Sequence, residues 1–224
     1  MSNRKQAFNQ PMSNPAKTFL EWKSKTKSFS YWNKEQEKEI EQTLPFKFLL
    51  LDELHAVGGW HDSSQSRIHS NEVKFIGKQE LIVKAFKGGT LVKGVYSEIK
   101  DKAKNCGGHY LKSIYIMLSD GSLSNIKLKG SAVKEWGDFT QANRSKLSSN
   151  WIEINGAKDG KKGAVSFSTP EFTVGSVLSS DEESIADKCF DGLESFLKAY
   201  LVKEDEVPTE EQVPTEEQEE DLDF

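Results

Sequence analysis

Tyr110-Leu111-Lys112-Ser113-Ile114-Tyr115-Ile116-Met117-Leu118 runs into Ser119-Asp120-Gly121-Ser122 and then Leu123-Ser124-Asn125-Ile126-Lys127-Leu128-Lys129. The two arms are rich in β-branched and aromatic residues, and Asp-Gly between such runs is a strong hairpin signal. This stretch predicts two antiparallel strands, Tyr110 to Leu118 and Leu123 to Lys129, and so a β-rich chain.

Working outward, more short strands appear. Lys17 to Lys23 and Ser28 to Trp32 are two, joined by the polar turn Ser24-Lys25-Thr26-Lys27. Phe46 to Leu54 is nearly continuous in apolar character, as a central strand would be, and Gly58-Gly59 after it marks a bulge or sharp bend. Residues 61–71 read as an exposed loop. Leu81 to Lys87 is another strand, turned by Gly88-Gly89 into Thr90-Leu91-Val92. Trp151 to Ile154 and Ala164 to Phe167 form a second hairpin around Lys158-Asp159-Gly160-Lys161-Lys162-Gly163.

Three helices are inserted or appended. Ser97 is a candidate N-cap for Glu98 to Asn105, closed by Gly107-Gly108. Ser131 opens a helix whose Ala132, Val133, Trp136 and Phe139 have helical spacing, which assigns Trp136 and Phe139 to the core. Ser180 opens the last, with Asp181, Glu182 and Glu183 in the first turn, where they suit the helix dipole. Its apolar stripe is Ile185, Cys189, Leu193, Phe196, Leu197 and Tyr200. The expected class is mainly β with α elaborations (α+β): an OB-fold-like, partly open β-barrel with two or three helices. A twisted sheet with helices on one side is the alternative.

The ends differ from the middle. Residues 1–16 are polar, hold Pro11 and Pro15, and read as a disordered arm. Residues 17–203 are the expected domain. Residues 204–224 carry eleven acids and no base, and repeat Val207-Pro208-Thr209-Glu210-Glu211-Gln212 as Val213-Pro214-Thr215-Glu216-Glu217-Gln218. Charge and proline predict a disordered acidic tail.

Composition narrows the function classes. The 224 residues are 36% hydrophobic and 29% charged, enough for one domain with its own core. The longest apolar run, Ile114 to Leu118, is far short of a membrane span, and Met1 to Gln6 leads to no apolar signal core. Two cysteines, Cys106 and Cys189, make no disulfide framework, so a reduced cytoplasmic compartment is expected. The net charge of −5 is a basic body of +6 with a tail of −11, an asymmetry that points to nucleic acid as a partner.

Catalytic patterns are sparse. Gly89 and Gly94 are spaced as in a phosphate-binding loop, but Val95 follows instead of Lys. Cys106 and His109 with His55 and His61 fall short of the paired ligands of a zinc site. Asp52, Glu53, His55 and Asp62 are the candidates for a metal nuclease, although Asp52 and Glu53 are neighbours on a strand and face opposite ways. The expectation is a protein that is not an enzyme and has no cofactor.

Aromatic and basic residues interleave instead. Single-strand binding needs lysines along the phosphates and flat rings under the bases, at ~1–3 kcal/mol per stacked base. The candidates for such a groove are Trp22, Tyr31, Trp32, Lys84, Phe86, Lys87, Tyr110 and Lys112, with Trp60 as a loop stacking residue. Lys127, Lys129, Arg144 and Lys146 are candidate phosphate contacts.

The last four residues are Asp221-Leu222-Asp223-Phe224, an acidic run closing on an aromatic with a free carboxylate. This resembles the tail of single-stranded DNA-binding proteins, of the bacterial type and more closely of the replication proteins of T7-like bacteriophages. The bacterial tip has proline where this chain has Asp223, and the long Gly/Gln-rich bacterial linker is absent, which favours the phage-like plan. The resemblance implies an OB barrel, sequence-independent single-stranded DNA binding in replication or recombination, and a location in the host cytoplasm. It also implies recruitment of DNA polymerase, helicase-primase or recombination proteins through the tip Asp221, Leu222, Asp223 and Phe224, with a homodimer as an option. In this scheme the tail, at an effective concentration on the order of mM, competes with DNA for the groove. The rival expectations are a protein-interaction module with a solubilising tail and no nucleic-acid site, and the metal-dependent nuclease. RNA in place of DNA stays open, since stacking grooves accept both.

Overall fold

A computed structural model describes residues 13–206. Its elements in chain order are β1 (Thr18–Lys23), β2 (Ser28–Asn33), β3 (Lys38–Gln42), β4 (Phe46–His61), β5 (Ser66–Ser70), β6 (Glu80–Ala85), β7 (Gly89–Val95), α1 (Tyr96–Asn105), β8 (Gly108–Leu118), β9 (Leu123–Lys129), α2 (Ser131–Ala142), β10 (Asn150–Lys162), β11 (Val165–Val177) and α3 (Ser180–Glu206). The chain is mainly β with three helices among the described residues. No described helix is long and apolar enough to cross a membrane. The acidic segment from 207 and the arm up to residue 12 lie outside the described residues. Asn14 and Ala16, inside the 1–16 stretch read as a disordered arm, are packed instead: Asn14 donates to the Tyr115 hydroxyl at 3.4 Å, and Ala16 is buried.

All eleven strands belong to one sheet, ordered β3-β2-β1-β9-β8-β4-β5-β6-β7, with the β10–β11 hairpin joined to β4. The sheet is not closed by a ladder among the described residues. β4 organises it. One edge pairs antiparallel with β8 from Phe48 to Gly59. Its other edge takes β10 at Phe46–Phe48 and β5 at Gly59–His61. Across the remaining opening, Ser168 of β11 meets the β1–β2 turn, with its amide donating to Ser24 Oγ at 2.5 Å and its hydroxyl to the Ser24 carbonyl at 2.8 Å.

Side chains alternate across this curved sheet. The concave side collects Leu20, Trp22, Phe29, Phe46, Phe48, Ile114, Ile116, Ile126, Leu128, Ile152 and Ile154, plugged by Trp136 of α2. Side chains of this size each contribute ~1.5–3 kcal/mol when fully buried. Trp136 is fully buried and Phe139 packs beside it, as their spacing predicts. α3 lays Leu193, Phe196 and Leu197 over Leu54, Tyr115 and Leu123 on the opposite, outer face. α1 packs Ile99 and Ala103 against Val57, Ile68, Leu81 and Val83, which makes a second wing from β5–β7.

Several expectations are corrected. The strand passes straight through Gly58-Gly59, and the bulge falls between Leu50 and Asp52. Gly59 is there for close approach, since a Cβ would lie 2.0 Å from the Gly107 carbonyl oxygen. The 61–71 stretch holds β5, whose Ser66 and Ile68 are buried. β3 is an edge strand in a stretch for which the sequence reading has no element, and its Lys and Glu residues protect the edge. The second hairpin turns at Gly163-Ala164, because Lys162 pairs with Val165. α1 starts at Tyr96 after Val95, and α2 has Gly130 in the cap position. α3 is capped by Ser179, not Ser180: Ser179 Oγ accepts from the Glu182 amide at 3.3 Å, and Glu182 accepts back from the Ser179 amide at 2.8 Å, a capping box. Ile185 is exposed, and Ala186 takes the inward position on the stripe.

Candidate nucleic-acid interface

The outer face of the sheet is traced by register. On β4 it carries Leu54, Ala56, Gly58 and Trp60, on β8 Leu111 and Ser113, and on β9 Asn125, Lys127 and Lys129. α3 covers the Leu54 end. Beyond it Ala56 and Gly58 form a buried floor, and β4 opens to solvent on this face at Trp60. Leu111 leans over Gly58, where a Cβ would stand 2.7 Å from Leu111 Cδ1.

Beside this floor three strands build a row. Trp60 of β4 is directly opposite Arg67 of β5. The Arg67 carbonyl accepts from the Phe86 amide at 3.0 Å, which continues the β5–β6 register to Phe86. Trp60 is 48% exposed, Phe86 is 44% exposed, and Arg67 is exposed between them. One step along, His69 faces Lys84 in the next pair. No acid among the described residues forms an ion pair with Arg67, Lys84 or Lys87. Burial, followed by the charges of Lys84 and Lys127, holds the His69 imidazole below its usual range.

The far side of the same face has rings too, but its bases are already paired. Phe19 and Trp32 are exposed, Trp32 at 62%. Lys127 Nζ lies 5.8 Å from the Phe19 ring centre and 3.8 Å from Glu72. Lys129 pairs with Glu21 at 3.3 Å and Lys23 with Glu39 at 2.6 Å. Glu72 is buried and accepts from Ser113 Oγ at 2.6 Å and the Tyr115 hydroxyl at 2.8 Å.

The candidates therefore divide. Trp32, Trp60, Lys84, Phe86, Lys127 and Lys129 share the outer face, and Lys87 is exposed at the turn after Phe86. Trp22 does not: it is a core residue, its indole N–H donating to the Ser168 carbonyl at 2.9 Å, and no ring face is left for a base. Tyr31 packs against the same interior cluster. Tyr110 and Lys112 point to the opposite side of β8. There the Tyr110 hydroxyl meets His55 Nδ1 at 2.5 Å, and Lys112 pairs with Glu53. Burial, with the charge of Glu53, pushes the Tyr110 phenol up to about 12. Burial alone would raise the Glu53 carboxyl, but hydrogen bonds from Lys112 and Trp136 and the charge of Lys112 hold it below the usual carboxylate range. Arg144 and Lys146 are exposed on the connection after α2, the helix that plugs the concave side. The tip Asp221 to Phe224 lies outside the described residues.

Arg67 and His69 escape the sequence reading, and Phe19, one of its lysine-flanked aromatics, is not among its groove candidates. The first two sit in the stretch read as loop, where Ile68 is the single apolar residue. Phe19 is one residue out of phase with the buried pair Leu20 and Trp22. The metal readings find no geometry. Asp52 pairs with Lys74, and Glu53 faces the other way toward Lys112 and Trp136. Among the described residues no group of three or more His, Cys, Asp or Glu is placed to hold a metal ion. No family model, no curated protein and no solved structure matches this chain.

Proposed function

We propose that this chain binds single-stranded DNA without sequence preference, in replication or recombination of a bacteriophage genome, and is not an enzyme. The observation that carries the reading is the row Trp60–Arg67–Phe86 with Lys84 beside it: two exposed rings, a guanidinium between them, and bases that no described acid neutralises. Rings offer stacking to any base while the cations track phosphates, and neither reads sequence.

The strand order supports an OB barrel as its frame. β4, β8, β9, β10 and β11 run in that order with α2 between β9 and β10, and β4 pairs with both β8 and β10. In this reading β5–β7 and α1 are an insertion between the first and second barrel strands, and β1 fills the gap beside β9. The interface then uses the end of the first barrel strand and the long connection that follows it, a connection that takes part in oligonucleotide binding in OB folds. The eleven carboxylates of residues 204–224 compete with DNA for the bases of this face, and displacement frees Leu222 and Phe224 for a partner with an apolar pocket rimmed by Arg or Lys.

The test is tryptophan fluorescence titrated with oligo(dT), for the full chain and a chain ending at Lys203, at two salt concentrations. Quenching that weakens steeply with salt is expected, with tighter binding by the shorter chain. Absence of quenching and of DNA retention in both would move the assignment to a protein-interaction module.

A further inference from the structure

A second concentration of positive charge sits on two adjoining hairpin turns. The β1–β2 turn carries Lys23, Lys25 and Lys27. The distal half of the β10–β11 hairpin carries Lys158, Lys161 and Lys162, with Asp159 as its acid. The turns are fastened together by Lys27 to Asp159 at 2.7 Å and by the paired Ser24–Ser168 hydrogen bonds, and Trp22 anchors Ser168 from the core. Lys23 and Lys158 are also paired, with Glu39 and Glu135. Lys25, Lys161 and Lys162 are exposed and form no ion pair among the described residues.

The shape is as telling as the charge. β10 and β11 are 13 residues each, yet only Ile152, Glu153 and Ile154 pair with the rest of the sheet. Past Gly156 the hairpin joins no further strand; Ser168 is buried and tied to the β1–β2 turn, and the end, residues 161–166, is an exposed two-stranded ribbon. Its end exposes Val165 at 67%. Its one ring, Phe167, folds over Gly160, where a Cβ would be 2.5 Å from the ring. No exposed ring is left on these two turns to stack on an unpaired base. A basic ribbon without stacking rings suits the phosphates and groove of a duplex, which admits two β-strands.

We infer that the paired turns, through Lys25, Lys161 and Lys162, form a second nucleic-acid site that grips duplex DNA by its backbone, so that the chain prefers junctions between duplex and single strand. The single-strand half of this preference rests on the function proposed above; the duplex half stands alone. Two linked weak sites on one ligand multiply their affinities.

The experiment uses the full chain and three labelled probes in fluorescence anisotropy: oligo(dT), a blunt duplex, and that duplex carrying the same oligo(dT) as a tail. The tailed duplex should bind on the order of tenfold or more tighter than oligo(dT). The double variant Lys161→Glu, Lys162→Glu should lose that advantage while holding oligo(dT) as before. Its log–log salt slope on the tailed duplex should be shallower by about 2, since each phosphate contact supplies about 0.9. Lys25→Glu, from the other turn, gives the same direction if the double variant folds poorly. Equal binding of oligo(dT) and tailed duplex overturns the inference, as does an equal loss on all three probes. Tighter oligo(dT) binding by the double variant also overturns it, because the turns then hold the acidic tail. Blunt-duplex binding that vanishes in the variant, with no oligo(dT) binding by either protein, retains this site and rejects the single-strand reading.

Discussion

Trp60 stands directly opposite Arg67 across the β4–β5 ladder, and both side chains are open to solvent on the outer face of the sheet. The neighbouring Phe86 and Lys84 repeat the same pairing of ring and cation one strand on. Within the proposed function, tryptophans of this chain separate into those that read DNA and those that hold the fold.

Trp60→Ala should weaken oligo(dT) binding by ~1–3 kcal/mol, the usual contribution of a stacking ring, and remove most of the fluorescence quenching. The melting temperature should stay close to that of the parent, because the ring is half exposed. Trp22→Ala should do the reverse. A core Trp-to-Ala change costs ~3–5 kcal/mol, so melting falls by roughly 10 °C at this chain length, with quenching per folded molecule retained. Calorimetry and titration on the same two samples check both. Quenching lost in the Trp22 variant but intact in the Trp60 variant would refute the face assignment.

Phosphate contacts have their own signature. Arg67→Gln and Lys84→Gln should each reduce the steepness of the log–log salt dependence by about 1 and weaken binding alike for oligo(dT), oligo(dC) and mixed sequence. Lys129→Gln should do much less, since Lys129 is already paired with Glu21 at 3.3 Å and its removal releases an acid as well as a base. Affinities measured at four salt concentrations separate these cases.

The position of Trp60 depends on Gly107. Gly107 has φ +91, and a Cβ there would lie 2.0 Å from the Trp60 carbonyl oxygen. Gly107→Ala should therefore destabilise by ~1–3 kcal/mol from backbone strain alone. It should also push the β4 end outward and weaken oligo(dT) binding beyond what the loss of stability explains. Gly137→Ala is the contrast. It is on the exposed side of α2 with nothing within 4 Å of its added Cβ, and should be neutral or slightly stabilising. Denaturant melts beside binding isotherms test the pair.

Much of this frame is legible in the order of the amino acids. Asp120-Gly121 places the β8–β9 hairpin to the residue, and Gly121 has φ +77 as such a turn needs. The spacing of Ala132, Trp136 and Phe139 finds the helix that covers the interior cluster. What stays hidden is which side of a strand is outward. Phe19 and Trp22 both sit beside lysines, and nothing local says that Leu20 and Trp22 go inward together; partners more than a hundred residues away decide it. β5 is hidden for a related reason. Its burial comes from pairing with β4 and β6, while its own sequence has one apolar residue, so Arg67 and His69 read as loop. Tyr110 and Lys112 share a face as alternation predicts, but that face meets Glu53, His55 and Tyr96 instead of solvent.

His69 gives the interface a pH dependence whose sign follows from its surroundings. It faces Lys84 of β6 across the ladder, with Lys127 of β9 near enough to act on it, and Arg67 two residues away on its own strand. Burial, followed by the charges of Lys84 and Lys127, keeps its pKa below the ordinary 6.5. Phosphates seated on Lys84 and Arg67 would cancel that repulsion, so the pKa is higher in the complex than in the free protein. Binding then takes up a proton, and affinity rises as pH falls through the pKa of the complex, levelling off below that of the free protein. Oligo(dT) should therefore bind more tightly at about pH 5.5 than at about pH 7.5, by an amount set by one pKa shift. Calorimetric titration in two buffers of different ionisation heat counts the proton directly. In His69→Gln the proton uptake should vanish while binding at neutral pH persists, because His69 is neutral there. An unchanged proton count in that variant would mean that another group carries the linkage and that phosphate does not sit beside His69.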